Sequence, residues 1–414
     1  MAAPLVAGRG AAQACGDDGI LIAALPRLRE PPMPKTSLSP LHRLYVHSAL
    51  QSFVEAGGGI FIAGFLVSRG FSFPAALASF ALIVLSRLAL RGLVLPLAVR
   101  FGVRNVLLIG IAVRAVSFAL LPLVHEVGPL LALFLAVSGL GSVLYWTAWH
   151  GFLPVLTDTG RGGQQISVQQ ATSALVGIAA PALGGLLLAH GGPGIAFAAI
   201  TVLQLASALP LLGAPNPTID PAAVLEPGVA SYARRLYLGE GFHAGCSVVI
   251  WNLALFATLG EHFDQFGAAM AAAGLAAAAG SLLVGRLIDS GHPRHSLVIA
   301  YGAAALALAA KGTALGHPLL AVAATALGAL VVPMTSTAML APLYAMARQS
   351  PCVLRFSMAT EGGWDLGCSA ACLTAAALLA SGAGFHLPIL LGLAAIAAMA
   401  RMLDRWYARQ PAAT

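Results

Sequence analysis

The sequence predicts an all-α polytopic membrane protein: twelve transmembrane helices in two pseudo-symmetric six-helix bundles. Three observations carry that expectation. Hydrophobic residues make up 59% of the chain and charged residues 9%, with a mean hydropathy of +0.87. A soluble domain carries about 25% charged residues, so this chain cannot cover its surface with polar groups and must sit in lipid. Apolar runs recur twelve times, most reaching the roughly 20 residues that cross about 30 Å of hydrocarbon. The runs also repeat as a set: Arg43-Leu44-Tyr45 and Arg235-Leu236-Tyr237, about 190 residues apart, each open six of them. Internal repeats of that size build six-plus-six secondary transporters.

Taken in order, residues 1–40 are rich in Pro, Gly and Ala and are expected to form a disordered cytoplasmic tail. The apolar stretch 19–25 is too short for a signal-peptide core, and Asp17-Asp18 stand where positive charge belongs; Met33 is an alternative start. The N-terminal bundle, 41–213, has spans at 44–67, 74–97, 105–124, 129–153, 166–189 and 194–213. A Pro-rich cytoplasmic linker, 214–233, follows (Pro215, Pro217, Pro221, Pro227). The C-terminal bundle, 234–405, has spans at 236–258, 266–288, 296–314, 318–344, 356–381 and 386–403. Residues 406–414 form a second cytoplasmic tail.

Charge placement orients the bundle. With the N-terminus inside, the inner segments carry Arg9, Arg27, Arg29, Lys35, Arg43, Arg100, Arg104, Arg161, Arg234, Arg235, Arg294, Arg348, Arg405 and Arg409. The outer loops hold chiefly Arg69, against Glu126, Glu261 and Asp264. This is the positive-inside asymmetry, and it puts both termini in the cytoplasm. The formal charge of +7 is therefore topological and implies no nucleic-acid partner. Arg in excess of Lys, with abundant Ala, Gly and Leu, suggests a GC-rich bacterial genome and hence the inner membrane. The five cysteines, at 15, 246, 352, 368 and 372, imply no disulfide framework. A monomer is expected, with no cofactor.

Short basic hinges recur at matching points of the two halves. The second, 285–294, carries Gly285, Asp289, Gly291 and Arg294; the first keeps Arg100, Gly102 and Arg104, with Leu95 and Val99 at the other two positions. The second hinge resembles the loop between the second and third helices of a major facilitator superfamily half, shortened by one residue and with Ser290 in place of Arg. Gly177, Pro181, Gly184 and Gly185 in the fifth span resemble the fifth-helix signature of that superfamily's antiporters, although Ala180 replaces the Gly before Pro. The resemblance covers about 42–405. It implies the superfamily's two-bundle fold, alternating access and, from the fifth-helix residues, export. It also implies that the hinges act as a cytoplasmic latch; the alternative reading of their arginines is topology alone.

Ionisable groups inside spans cost about 2.5–3.5 kcal/mol each on insertion scales and need a reason. Ser48, Gln51 and Glu55 share one face of the first span, so Glu55 is a candidate proton carrier; the competing reading pairs it with Arg87 or Arg91. On the seventh span, Glu240 is a candidate proton carrier lining the cavity or else an interfacial cap near the cytoplasmic end, and His243 and Asn252 are candidate cavity residues, with Cys246 and Ser247 beside them. Glu361, Asp365, Cys368 and Cys372 form one stripe on the eleventh. Two carboxylates one turn apart repel when both are ionised, which suits proton exchange unless arginines compensate them. Arg87 and Arg91, one turn apart, are candidates either to neutralise these acids or to bind an anionic cargo. Tyr145, Trp149 and His150 in the fourth span, Gln169 in the fifth and Trp364 in the eleventh complete the expected cavity lining. The third span is expected to face lipid or scaffold, and Lys311, near the outer end of the ninth, to snorkel outward.

Several function classes lack their signatures. The chain has no Walker-type glycine loop and neither the His-Glu-x-x-His nor the Gly-x-Ser-x-Gly pattern of hydrolases. The expected function is secondary active transport of a small organic solute, coupled to protons. The alternatives are a non-transporting sensor or assembly factor on the same fold, and transition-metal transport through Cys246, Cys368, Cys372 and His243.

Overall fold

The computed structural model describes residues 40–156, 175–217, 219, 227–288, 293–348, 350 and 352–409, and every regular element among them is a helix. Ten stretches are long and apolar enough to cross a membrane. One of these, Leu175–Leu211, holds two helices, because Gly192 at φ +77° and ψ 165° cannot continue a helix. A further long apolar helix is Phe263–Ile288. Together these account for all twelve expected spans.

In chain order, α1 runs Pro40–Gly57, tightens to a 3-10 turn at Gly59–Phe61 and resumes as Ile62–Ser68. α2 is Phe73–Leu90, a 3-10 turn Arg91–Leu93, then Val94–Phe101. α3 is Val103–Leu120, α4 is Pro129–Leu156, α5 is 175–191 and α6 is Gly192–Ala206. α7 is Pro227–Ala244, a π-helical turn Gly245–Ile250, then Trp251–Thr258. α8 is Phe263–Ile288, α9 Pro293–Thr313, α10 Pro318–Arg348, α11 Val353–Ala380, and α12 comprises His386–Leu390 and Gly392–Tyr407. Proline at the first helical position, as in α4, α9 and α10, loses no hydrogen bond there, and Ser72 caps α2 by accepting from the Ala75 amide at 3.3 Å.

α7 begins at Pro227, well before the expected 236. Arg234 and Arg235 interrupt the apolar run, but Ala233 and Leu236 are buried and the Tyr232 hydroxyl donates to the Met402 carbonyl on α12 at 2.7 Å. Packing on α12 extends the helix where hydropathy alone ends it.

α3 packs against α4 and α6 in the first bundle, and α7 against α11 and α12 in the second. The bundles meet along α2 with α11 and along α5 with α8, two seams that a pseudo-twofold axis would exchange. The second seam explains the small residues of α5. A Cβ on Gly185 would lie 2.4 Å from the Phe263 carbonyl oxygen, and one on Gly267 would lie 2.4 Å from that of Pro181. Gly184 meets α1 in the same way, its Cβ position 2.1 Å from the Gly57 carbonyl oxygen. The end of the molecule where α1 begins and α12 finishes is called the terminal end below.

A cavity and an ion-pair cluster between the two bundles

Two guanidinium groups of α2 face two carboxylates of α11 across the first seam. Arg91 Nη1 donates to Glu361 Oε2 at 2.8 Å, its Nη2 donates to Asp365 Oδ2, and Nη1 also reaches Thr147 Oγ1 of α4 at 3.3 Å. Arg87 Nη2 lies 3.0 Å from Asp365 Oδ1, although that oxygen accepts no aligned hydrogen bond. His150 of α4 places Nδ1 2.5 Å from Glu361 Oε1. Asp365 is fully buried and Arg91 and Glu361 nearly so, while the His150 side chain is 42% exposed. Each charge of the two acids is thus matched by an arginine, which removes most of the penalty of holding it within the bilayer.

Toward the other end lies a cavity of about 440 Å³ between the bundles. α1 supplies Glu55 and residues 59–64, α2 Phe80, α7 Val248 and Asn252, and α11 Trp364. Phe61, Phe256, Phe263 and Phe266 pack against one another, with ring centroids 5.0–6.2 Å apart, on its far side. Trp364 is the partition: one side lines the cavity, and its ring carries the Arg87 guanidinium 5.5 Å away. On α2 the cavity is met at Phe80 and the ion pairs at Arg87, about 10 Å nearer the terminal end at 1.5 Å per residue. A mostly apolar space of this size with a few polar fixtures suits a small organic molecule.

Glu55 is paired, but with neither Arg87 nor Arg91. Its Oε1 accepts from Arg114 Nη2 of α3 and, at 3.3 Å, from Gln51 Nε2. α3 therefore faces the site rather than serving only as scaffold. The physical reason is prior engagement: Arg87 and Arg91, in the same bundle, are turned to the acids of α11, while Arg114 of α3 is held over the Tyr145 ring at 5.3 Å. Gln51 continues the chain of contacts to Gln204 Nε2 of α6 at 3.2 Å.

Other expected lining residues are placed elsewhere. Tyr145 and Trp149 are buried within the first bundle, stacked at 6.4 Å around His47, whose Nε2 lies 3.0 Å from the Tyr145 hydroxyl. Glu240 and His243, 4.0 Å apart, do not line the central cavity; His243 faces a separate one inside the second bundle. Lys311 does not snorkel but is buried there. Gln169 lies outside the described residues. Cys246, Cys368 and Cys372 are buried, and the described residues contain no group of three His, Cys, Asp or Glu that could hold a metal. The signals for the missed partners were present: Arg114 is a charge inside a span, and Gln204 and Thr147 are polar groups on otherwise apolar faces.

Among the described residues the first hinge is tied to the start of the linker and Arg294 of the second to α12. Gly102 adopts φ +82°, and a Cβ there would lie 2.2 Å from Asn216 Oδ1. Asn216 accepts from the Arg104 amide at 3.1 Å and donates to the Phe101 carbonyl at 2.9 Å. The Arg104 side chain donates to the Ala214 carbonyl at 2.7 Å, and Arg100 sits over the neighbouring Phe101 ring at 5.3 Å. Gly285 is within α8, Asp289 and Gly291 lie outside the described residues, and Arg294 pairs with Asp404 of α12 at 2.7 Å. Arg87, Arg91 and His150 make charged contacts that cross between the bundles.

No protein family matches the sequence, and no curated relative does. The fold does have solved counterparts. The chain is similar to the nucleoside transporter NupG (12% identity, TM-score 0.63, covering 90% of this chain and 100% of that one). It is similar to a proton dependent oligopeptide (POT) family transporter (13% identity, TM-score 0.66, 88% of this chain and 100% of that one). An auto inhibited POT family peptide transporter also matches (13% identity, TM-score 0.60, 90% and 97%). At these identities the likeness establishes the fold alone, a helical membrane fold shared with these transporters over nearly the whole chain.

Proposed function

We propose that the chain is a secondary active transporter that carries a small organic solute by alternating access. The observation that supports it most is the stacking of a mostly apolar cavity on an ion-pair cluster, both built from the two bundles. The solute binds between Glu55, Asn252 and Trp364. The cluster of Arg87, Arg91, Glu361, Asp365 and His150 is the gate on the terminal side, which the arginine placement makes cytoplasmic. Opening requires α2 and α4 to part from α11, and the pairs break when they do.

Proton coupling follows from the same chemistry. A carboxylate holds its guanidinium only while ionised, so a proton on Glu361 or Asp365 weakens the gate. His150, the most exposed member of the cluster, offers a route for that proton from water. Glu55 carries the cavity's own charge and answers the state of bound solute. The fifth-helix resemblance favours export. That the structural neighbours include nucleoside and peptide transporters is in keeping with an organic cargo.

Proteoliposomes carrying the purified protein, an imposed pH gradient and an internal pH-sensitive dye test the reading. A panel of nucleosides, peptides and small organic ions should include solutes that collapse the gradient faster than empty vesicles do. Glu361→Gln and Asp365→Asn should each abolish that effect. If both variants, normally expressed and folded, kept wild-type proton-linked flux, the gate and coupling assignments would be wrong.

A further inference from the structure

The second bundle holds a cavity of about 190 Å³ that the transport cycle above does not use. It lies among α7, α8, α9 and α10, and α7 separates it from the central cavity: Val248 and Asn252 line both. Most of its wall is apolar, from Met270 and Ala273 on α8 to Ala304, Ala307 and Leu308 on α9. Into this wall projects the ammonium of Lys311, on a residue only 8% exposed.

The lysine is held in place with care. Its Nζ donates to the Ser247 carbonyl at 2.7 Å and lies 5.4 Å from the Trp251 ring centroid. Ser247 belongs to the π-helical turn of α7, where main-chain carbonyls are displaced from their α-helical partners. The Trp251 ring is fixed in turn by its Nε1 donating to Thr325 Oγ1 at 3.0 Å. Gly328 leaves room for the stem: a Cβ there would lie 2.9 Å from Lys311 Cε.

An ammonium has three donors, and Ser247 takes one. Among the described residues Lys311 forms no ion pair. The other titratable group on the wall is His243, whose Nδ1 lies 4.0 Å from Glu240. Asn252 likewise lines the cavity, as it does the central one. A buried cation at this depth without a counter-charge is costly, and the space beside it is large enough for a guest.

We infer that this cavity is a subsite for a small organic monocarboxylate, bound by Lys311 as counter-charge and by Asn252 as donor, with its hydrocarbon part against the alanines of α9. One ammonium balances one negative charge, so a monoanion fits better than a phosphate dianion, and the apolar wall favours an organic body over a halide. This narrows the cargo or effector class of the proposed transporter. It rests on that reading for its purpose, while the binding itself needs no gradient.

Isothermal titration of the purified full-length protein in detergent tests it, with butyrate and benzoate as probes, butyramide and benzamide as neutral isosteres, and chloride as competitor. Saturable binding of at least one carboxylate but of neither amide is expected. Lys311→Met should weaken it about tenfold or more, the loss of one charge-assisted contact. Ala307→Leu fills the cavity and leaves the ammonium, so it should abolish binding and serves as the test if Lys311→Met does not fold. Equal binding of the amides, no binding of either acid, full displacement by chloride at matched concentration, or retention in both variants would overturn the inference. Binding without flux in the vesicle assay would instead count against transport alone, and flux of a neutral solute without carboxylate binding against the subsite alone.

Discussion

Among the described residues, two sets of opposed charges near the space between the bundles are wired differently. Glu55 and Arg114 belong to α1 and α3, and their supports, Gln51, Gln204 and Tyr145, all lie in the first bundle. Arg87, Arg91 and His150 belong to that bundle as well, but their acids, Glu361 and Asp365, come from the second. A rigid-body rocking of the bundles leaves the first set intact and separates the second. Chemically alike, the sets differ in whether a seam runs through them. The pair inside one bundle stays with the cavity wall, whereas on the proposed cycle the set across the seam would exist in only one state.

The sharpest break of that comparison is Arg91→Met. It strands Glu361 and Asp365, one nearly and one fully buried, with Arg87 and His150 as their remaining cations. Removing one partner of a buried pair costs about 3–5 kcal/mol. The variant should show a strongly lowered thermal midpoint in detergent and no flux, and adding Glu361→Gln should recover part of the stability by removing the stranded charge. An Arg91→Met protein as stable as wild type would mean that the cluster does not hold the seam closed.

The fold was legible in the sequence because its signal is bulk chemistry. Twelve apolar runs in two sets of six need no partner residue to be recognised, and lipid depth fixes their length. The acid stripe of Glu361 and Asp365 and the arginines of α2 were legible for the same reason, since charge in a span is conspicuous. Their pairing was legible only as one option among several, because it joins positions about 270 residues apart through a packing of bundles that periodicity does not encode. Tyr145 and Trp149 misled because an aromatic run reads alike whether it lines a cavity or, as here, wraps His47. Lys311 was misread because snorkelling depends on which face of α9 meets lipid, and the Ala-rich sequence of that helix has no polar stripe to mark it.

A crosslink tests the seam directly, with an effect expected to be smaller on stability but complete on turnover. A Cβ on Gly151 of α4 would lie 3.6 Å from Leu354 Cβ of α11, within the Cβ separation of a disulfide. Gly151→Cys with Leu354→Cys, in a background lacking the native cysteines, should oxidise readily and halt flux while crosslinked. A reductant should restore it. Full flux in the crosslinked protein would show that α4 and α11 stay together throughout the cycle, and the gate would have to lie elsewhere.

Glu55→Gln should have the smallest effect on stability and the most selective effect on function. The Glu55 side chain is 36% exposed to the cavity, and glutamine keeps an acceptor oxygen for Arg114, so the thermal midpoint should move little, in line with about 1 kcal/mol or less for such open pairs. What changes is charge: the cavity wall loses the one carboxylate that a proton or a cationic group of the solute could engage. Solute counterflow, which needs binding and rocking but no gradient, should persist, while pH-driven accumulation should fall. Arg114→Gln should reproduce the functional defect by freeing the same carboxylate from its partner. If Glu55→Gln instead destabilised the protein as much as Arg91→Met, both charge sets would be structural and the distinction between them would fail. If it kept wild-type flux at every pH, Glu55 would be a packing residue and coupling would belong to the seam alone.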